Sequence, residues 1–179
     1  MLRQDMETIL FTEEELQQRV RELGEAITRD YKDKNPIFVG VLKGSFVFMA
    51  DLVRCVDTPC TLDFMVVSSY GSGVKTTGAV KINKDLSEDI EGRHVIIVED
   101  ILDSGVTLNY LGKYLMNRNP ASVRIVTLLD KPARRKAEVY ATYKGFEVED
   151  NFVVGYGLDY AEKYRNLPYI GILKPEVYS

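Results

Sequence analysis

The sequence predicts an α/β protein built around a mostly parallel central sheet with helices on its flanks. Two observations predict it. Stretches with helical apolar spacing alternate with short apolar runs over the first two-thirds of the chain, the pattern of strands joined through helices. Acidic and glycine-bearing segments stand directly after those apolar runs, and ligands in such sheets sit beyond the carboxyl ends of the strands. A length of 179 residues suits one domain covering the whole of 1–179, large enough to bury a core without disulfides or structural metal.

The elements follow in order. Thr12-Glu13-Glu14-Glu15 has the form of a capping box, with Thr12 as N-cap and Glu15 reaching back. Leu16, Val20, Leu23 and Ile27 then recur at spacings of four, three and four, one apolar face of a helix. Asn35-Pro36 breaks the chain. The run at 37–42 is too short for a helix and predicts a buried strand. Lys43-Gly44-Ser45 makes a turn, with Ser45 as candidate cap for a helix over 46–56. A strand is expected at 61–67. Residues 68–83, rich in Gly, Ser, Thr and Lys, predict a long loop with hairpin character. A buried strand is expected at 95–98, ending in Glu99-Asp100, then a helix over 105–119 with Leu108, Leu111 and Leu115 on one face. Further strands are expected at 123–129, 152–158 and 169–173.

Composition excludes several classes. The chain has 45% hydrophobic and 28% charged residues, the mix of a soluble globular protein, and a net charge of −4 that attracts neither nucleic acid nor anionic membrane broadly. Residues 1–8 lack the apolar core of a signal peptide, and no apolar run nears the ~20 residues of a membrane span. A cytoplasmic location is therefore expected. Cys55 and Cys60, with His94 distant in sequence, make poor metal-site material and read as two reduced thiols.

The strongest chemical signal is Val95-Ile96-Ile97-Val98-Glu99-Asp100-Ile101-Leu102-Asp103-Ser104-Gly105-Val106-Thr107. A buried strand runs into two adjacent carboxylates, a third follows, and Ser-Gly-x-Thr opens a helix. Backbone N–H groups at a helix start bind phosphate, and Gly105 permits close approach. Ser104 and Thr107 add hydroxyl donors. Glu99 and Asp100 suit ribose hydroxyls or a metal met directly or through water. Reading Asp103 or Ser104 as a plain N-cap accounts for one residue and leaves the strand-end acids unexplained. The Walker A pattern G-x-x-x-x-G-K-[ST] does not occur.

This segment resembles the phosphoribosyl-pyrophosphate motif of the type I phosphoribosyltransferases. From about Phe38 to Leu173 the chain resembles their hypoxanthine-guanine branch, with the motifs in the family's order. The resemblance implies the family's fold, including a small hood formed by the terminal segments. It implies that Asp103, Ser104, Gly105, Val106 and Thr107 hold the 5′-phosphate, that Glu99 and Asp100 hold the ribose hydroxyls, and that Asp103 is the general acid/base near N7 of the purine. Leu42-Lys43-Gly44 resembles the pyrophosphate loop, with a non-proline cis peptide at Leu42-Lys43, though an ordinary strand-to-helix turn reads the same way. Lys131, in Leu128-Leu129-Asp130-Lys131, would donate to O6 of the base. An ammonium has donors only, so it suits a 6-oxopurine and rejects the 6-amino group of adenine. Phe152 would stack on the base. Val153 and Asp159 would read its edge through backbone groups, and Arg165 would meet pyrophosphate. A plain core strand would also account for Phe152 and the valines. Ser69 and Tyr70 match the pair carried by the family's mobile catalytic loop, here about 68–83.

The implied cofactor is Mg2+, with Glu99, Asp100 and Asp159 as its residues. The implied substrates are a 6-oxopurine base and phosphoribosyl pyrophosphate, and the implied assembly is a homodimer or homotetramer. The run Arg134-Arg135-Lys136 reads as a solvated face. The alternative reading is a regulatory protein on the same scaffold that binds nucleic acid. The negative net charge and the intact purine motif oppose it. A receiver-like domain also gathers acids at strand ends, but has no use for Ser104 to Thr107.

Overall fold

The computed structural model describes residues 1–69 and 80–179. A 3-10 turn at Leu2–Asp5 leads into β1 (Met6–Phe11), α1 (Glu13–Asp30), β2 (Ile37–Leu42), α2 (Phe46–Val53), β3 (Thr61–Ser69) and β4 (Val80–Lys84). Then come β5 (His94–Leu102), α3 (Val106–Met116), β6 (Ser122–Asp130), a 3-10 turn at Pro132–Arg134, β7 (Tyr143–Glu147), β8 (Val153–Val154), β9 (Ile170–Leu173) and α4 (Pro175–Tyr178).

The main sheet has the order β4-β3-β2-β5-β6-β7. All its pairings are parallel except β3 with β4. From β2 the chain adds β3 on one side and later β5 on the other, so the order reverses between β2 and β5. That reversal opens a crevice at the carboxyl ends of these two strands, where an open α/β sheet binds its ligand. A second sheet, β1-β9-β8, is antiparallel and draws on both ends of the chain. It forms the expected hood.

Strand alternation sorts the side chains into two cores. Phe38, Ile96, Val98, Val126 and Leu128 face Leu16, Val20, Leu23 and Ile27 of α1 and Phe48 and Leu52 of α2. Ile37, Val39, Val95, Ile97 and Ile125 face Leu108, Leu111 and Leu115 of α3. The capping box is present: Thr12 accepts from Glu15 N at 3.2 Å and Glu15 accepts from Thr12 N at 2.9 Å. Cys55 and Cys60 are both free. No helix among the described residues is long and apolar enough to cross a membrane.

Several boundaries differ from the sequence reading. β5 continues past Val98 because β6 keeps pairing beside it, with Glu99 opposite Thr127 and Leu102 opposite Asp130. Glu99 and Asp100 are therefore strand residues. β3 extends to Ser69 and β4 forms within the stretch read as a loop, giving the hairpin character expected there. Tyr70 and the rest of 70–79 lie outside the described residues. Ser45 does not cap α2 through its side chain; its hydroxyl donates to Val41 O at 2.7 Å. α2 ends at Val53 and α3 spans 106–116, both shorter than expected. Of the strand expected at 152–158, only Val153–Val154 is a strand, and Gly155 and Leu158 bridge each other across a turn. Gly155, Tyr156 and Gly157 all have positive φ, at 102°, 52° and 101°, which no strand accommodates. β1 and β7 were not expected at all.

Candidate active site

β5 delivers Glu99, Asp100 and Asp103 into the crevice, which holds about 250 Å³ between Val41, Val67 and Thr107. A larger groove of about 510 Å³ behind α3 touches none of the expected site residues, so size does not locate the chemistry here. Glu99 and Asp100 are half-buried neighbours. Enclosure, then the Asp100 charge, pushes the Glu99 carboxyl well above the usual range. Enclosure also raises Asp100, against the pull of the Glu99 hydrogen bond, nearby backbone N–H groups and Arg165. Two adjacent acids whose carboxyls are raised this way favour whatever brings positive charge or hydroxyl donors to them.

Beyond β5 the chain turns through Ser104 and Gly105 into α3. Gly105 has φ +79° and is the N-cap. A Cβ there would stand 2.4 Å from Val139 Cγ1, so the turn takes only glycine. The first N–H groups of α3 have no partner within the helix and point to a phosphate position. Ser104 Oγ accepts from Val106 N at 3.3 Å.

The loop is braced from behind by a segment that the sequence reading assigned to solvent. Arg135 donates through Nη1 to Leu102 O at 3.2 Å and Asp103 O at 2.8 Å, and through Nη2 to Asp130 Oδ1 at 2.5 Å. The amides of Lys136 and Ala137 both donate to Ser104 O. Arg134 Nε stands 3.1 Å from Asp103 Oδ1 and its Nη1 3.3 Å from Asp150. The solvated-face reading therefore fails for Arg135, while Arg134 is paired with two carboxylates yet stays exposed. Asp103 Oδ1 is buried, and its contact is the Arg134 ion pair at 3.1 Å, with no hydrogen bond of good geometry among the described residues.

The Leu42–Lys43 peptide is cis, as the resemblance implied. It sets Gly44 against β5 so closely that a Cβ would lie 1.9 Å from Asp100 Oδ2. Gly44 also meets the turn after β8: a Cβ on Gly157 would lie 2.3 Å from Gly44 O. The expected pyrophosphate loop thus touches both the acid pair and the expected purine turn. Tyr156 secures that turn from inside, donating its hydroxyl to Asp51, which also accepts from Gln17 at 3.1 Å. Sequence patterning held no signal for Asp51.

Arg165 donates to Gly157 O at 2.7 Å and stands 3.3 Å from Asp159 Oδ1 and 3.1 Å from Glu162 Oε1. Its Nε is buried without a partner among the described residues. Lys43 Nζ meets Glu162 Oε2 at 2.9 Å. Glu162 was not among the expected residues. On the β6 side, Lys131 is buried and donates through Nζ to Asn151 O at 2.7 Å, beside Phe152. Val153 is buried in β8, while Phe152 stays 40% exposed. Ser69 ends β3, and Tyr70 lies outside the described residues.

Among the described residues no group of three or more His, Cys, Asp or Glu side chains could hold a metal ion by itself. Glu99 and Asp100 stand together, and Asp159 is engaged by Arg165 and by the Glu162 amide at 2.9 Å. This arrangement fits Mg2+, which takes one or two carboxylates along with substrate phosphates and water rather than a protein cage.

A family model described as the phosphoribosyl transferase domain matches residues 8–161. The chain is 56% identical over 179 residues to the hypoxanthine-guanine phosphoribosyltransferase of Bacillus subtilis (strain 168), covering 100% of this chain and 99% of that protein. It is 51% identical to the protein of the same description from Streptococcus pyogenes serotype M3, with the same coverage. A crystal structure of a hypoxanthine phosphoribosyltransferase from Staphylococcus aureus superposes with a TM-score of 0.97 at 53% identity, covering 99% of this chain and 97% of that one.

Proposed function

The chain belongs to the phosphoribosyltransferase family, in its hypoxanthine-guanine branch, and from that premise we propose that it joins hypoxanthine or guanine to 5-phosphoribosyl 1-pyrophosphate, giving IMP or GMP and pyrophosphate. The observation that carries the reading is the meeting of three parts in one crevice. β5 brings Glu99, Asp100 and Asp103 to the phosphate turn at Gly105, directly against Gly44 and the turn at Gly157.

The α3 amides, with Ser104 and Thr107, hold the 5′-phosphate. Glu99 and Asp100 accept from the ribose 2′- and 3′-hydroxyls. A purine ring nitrogen forms the new bond to C1 of the ribose as the bond from C1 to pyrophosphate breaks. The transition state carries oxocarbenium character, and the base must give up a proton. Asp103, the acid next to the phosphate turn, takes that proton. Lys43, the backbone at Gly44, and Arg165 receive the departing pyrophosphate. Asp159 and the Glu99–Asp100 pair would hold Mg2+ directly or through water, and the ion would supply charge neutralisation for the leaving group.

Lys131 selects the base. Its ammonium donates to O6 of a 6-oxopurine and would face the 6-amino group of adenine donor to donor. Phe152 stacks on the ring, and backbone groups of Val153 and Asp159 read its edge. We further propose a cytoplasmic homodimer or homotetramer. The test is base-dependent pyrophosphate release with hypoxanthine, guanine, xanthine and adenine in turn, with and without Mg2+. Hypoxanthine and guanine should react only with Mg2+. Adenine should be slower by roughly 10⁴, because the mismatch leaves buried polar groups unpaired. Comparable turnover of adenine would overturn the reading.

A further inference from the structure

Phe152 is one member of an aromatic triad, and its partners lie near the end of the chain. The ring of Tyr178 stacks on Phe152, with centroids 5.0 Å apart and planes inclined by 19°. Tyr160 meets Phe152 edge-on at 5.5 Å and Tyr178 at 6.4 Å. Tyr178 therefore covers one face of the Phe152 ring, Tyr160 stands perpendicular to it, and Phe152 remains 40% exposed.

The stack is built into the fold. Phe152 leads into β8, and its carbonyl accepts from Leu173 N of β9 at 3.1 Å. α4 follows β9 after Lys174, whose amide donates to Asp5 O at 2.9 Å. Asp5 also accepts from the Tyr164 hydroxyl at 2.7 Å. Val177, beside Tyr178, packs on the hood cluster of Met6, Val154, Tyr164, Leu167 and Leu173. These anchors hold Tyr178 in place behind Phe152. Lys131 directly follows β6 and donates to Asn151 O, away from the element that carries Tyr178.

We propose that Tyr178 is a positioning residue for purine binding: it backs the Phe152 ring so that one fixed face is presented to the base. This rests on the reading of Phe152 as the stacking platform. A ring on the edge of a two-residue strand would otherwise sample rotamers, and ordering it would be charged against each binding event. Tyr178 supplies that order in advance through its ring, so phenylalanine serves as well as tyrosine. The hood thereby becomes part of base recognition, and the C-terminal residues contribute to affinity for the base without touching it.

The test is steady-state kinetics on the full chain and on Tyr178→Phe, Tyr178→Leu, Tyr178→Ala and Phe152→Ala, with KM measured separately for hypoxanthine and for phosphoribosyl pyrophosphate. Tyr178→Ala should raise the hypoxanthine KM roughly three- to tenfold, the scale of one aromatic pair. The other KM should stay within about twofold. Tyr178→Phe should match the parent, and Tyr178→Leu, which keeps apolar bulk should the alanine variant fail to fold, should fall between. A hypoxanthine KM that is unchanged or lowered in Tyr178→Ala overturns the proposal, as does an equal rise in both KM values or a Tyr178→Phe variant as impaired as alanine. Phe152→Ala separates the two readings. If it leaves the hypoxanthine KM unchanged, the platform itself is wrong. If it raises that KM while Tyr178→Ala does not, only the brace is wrong.

Discussion

Lys43, on the loop after β2, donates to Glu162 Oε2 at 2.9 Å, and the same glutamate stands 3.1 Å from Arg165 through its other oxygen. Glu162 thus joins the two cations that the proposed reaction reserves for pyrophosphate. The Lys43 hydrogen bond, then that of Arg165, holds its carboxyl below the ordinary value, so it is anionic at neutral pH and competes with pyrophosphate for both. Glu162→Gln should lower the KM for phosphoribosyl pyrophosphate roughly two- to fivefold at low salt. The pair is exposed, so the gain should fade at about 0.5 M salt, where the screening length falls to a few ångströms. A raised KM would make Glu162 a support for the loop instead.

Asp103→Asn keeps the shape of the side chain but cannot take a proton at neutral pH. kcat should fall by roughly 10²–10⁴. Binding of phosphoribosyl pyrophosphate should change far less, because the proposed phosphate site is made by backbone amides at the start of α3. Titration calorimetry beside kcat separates the two, and equal losses would assign Asp103 to structure.

Gly44→Ala would place a methyl 1.9 Å from Asp100 Oδ2. Either Asp100 swings out of the crevice or the loop retreats from β5. Overpacking of this kind costs roughly 1–3 kcal/mol, but the larger loss should be functional. kcat/KM for phosphoribosyl pyrophosphate should drop by at least about tenfold, while a thermal melt shows a folded protein. Full activity would mean that Asp100 need not hold its position.

Local signals in the sequence were reliable where punctuation is local. β2 was legible to the residue because Pro36 precedes it and Lys43-Gly44 ends it. The Thr12 capping box and the α1 face were equally plain. β5 was cut short because carboxylates look like strand ends, whereas the ladder that extends it comes from β6, more than twenty residues on. β1 pairs with β9, which begins 159 residues after β1 ends, and β7 is a polar pentapeptide with a glycine; neither has a pattern of its own. The residues from Glu99 to Gly105 that line the crevice were legible as a motif. Arg135, Asp51 and Glu162 were not, because a charged residue has the same letter whether it faces water, a carbonyl or a buried phenol.

Asp63 gives a pH dependence with a defined sign. It is buried, and its carboxylate accepts from Phe64 N at 2.7 Å, Ser87 N at 2.8 Å and Glu88 N at 2.9 Å. Burial alone would raise its pKa, but the three amides and Lys84 outweigh it and hold it below the ordinary value. A carboxyl depressed on folding contributes stability that is present above its unfolded pKa, about 3.9, and is lost as pH falls through the folded value. Asp63→Asn, whose amide nitrogen cannot accept, should therefore destabilise by about 1–3 kcal/mol at pH 7. The gap from the parent should shrink at about pH 3, in urea unfolding at the two pH values. A gap that grew on acidification would reverse the assignment.

Arg135 provides the sharpest contrast between the two ways of reading a basic run. As a solvated charge, its removal would change stability by less than about 0.5 kcal/mol. In the fold its guanidinium spans three acceptors: the carbonyls of Leu102 and Asp103 and the carboxylate of Asp130. Asp130 is buried, and its other oxygen has Lys144 only at 3.6 Å. Arg135→Ala leaves that carboxylate without its main partner, at a cost of about 2–4 kcal/mol. In a chain of this length each kcal/mol lowers Tm by roughly 2–4 °C, so a drop of about 5–15 °C is expected. Arg135→Lys restores the charge but cannot span three acceptors from one point. It should recover much of the stability while the turn at Ser104-Gly105 stays loose. The KM for phosphoribosyl pyrophosphate should then rise by roughly tenfold, since the proposed phosphate site at the α3 amides depends on that turn, while the KM for hypoxanthine moves little. A lysine variant with parental KM would show that the charge at Asp130, and not the grip on the two carbonyls, is what the loop requires.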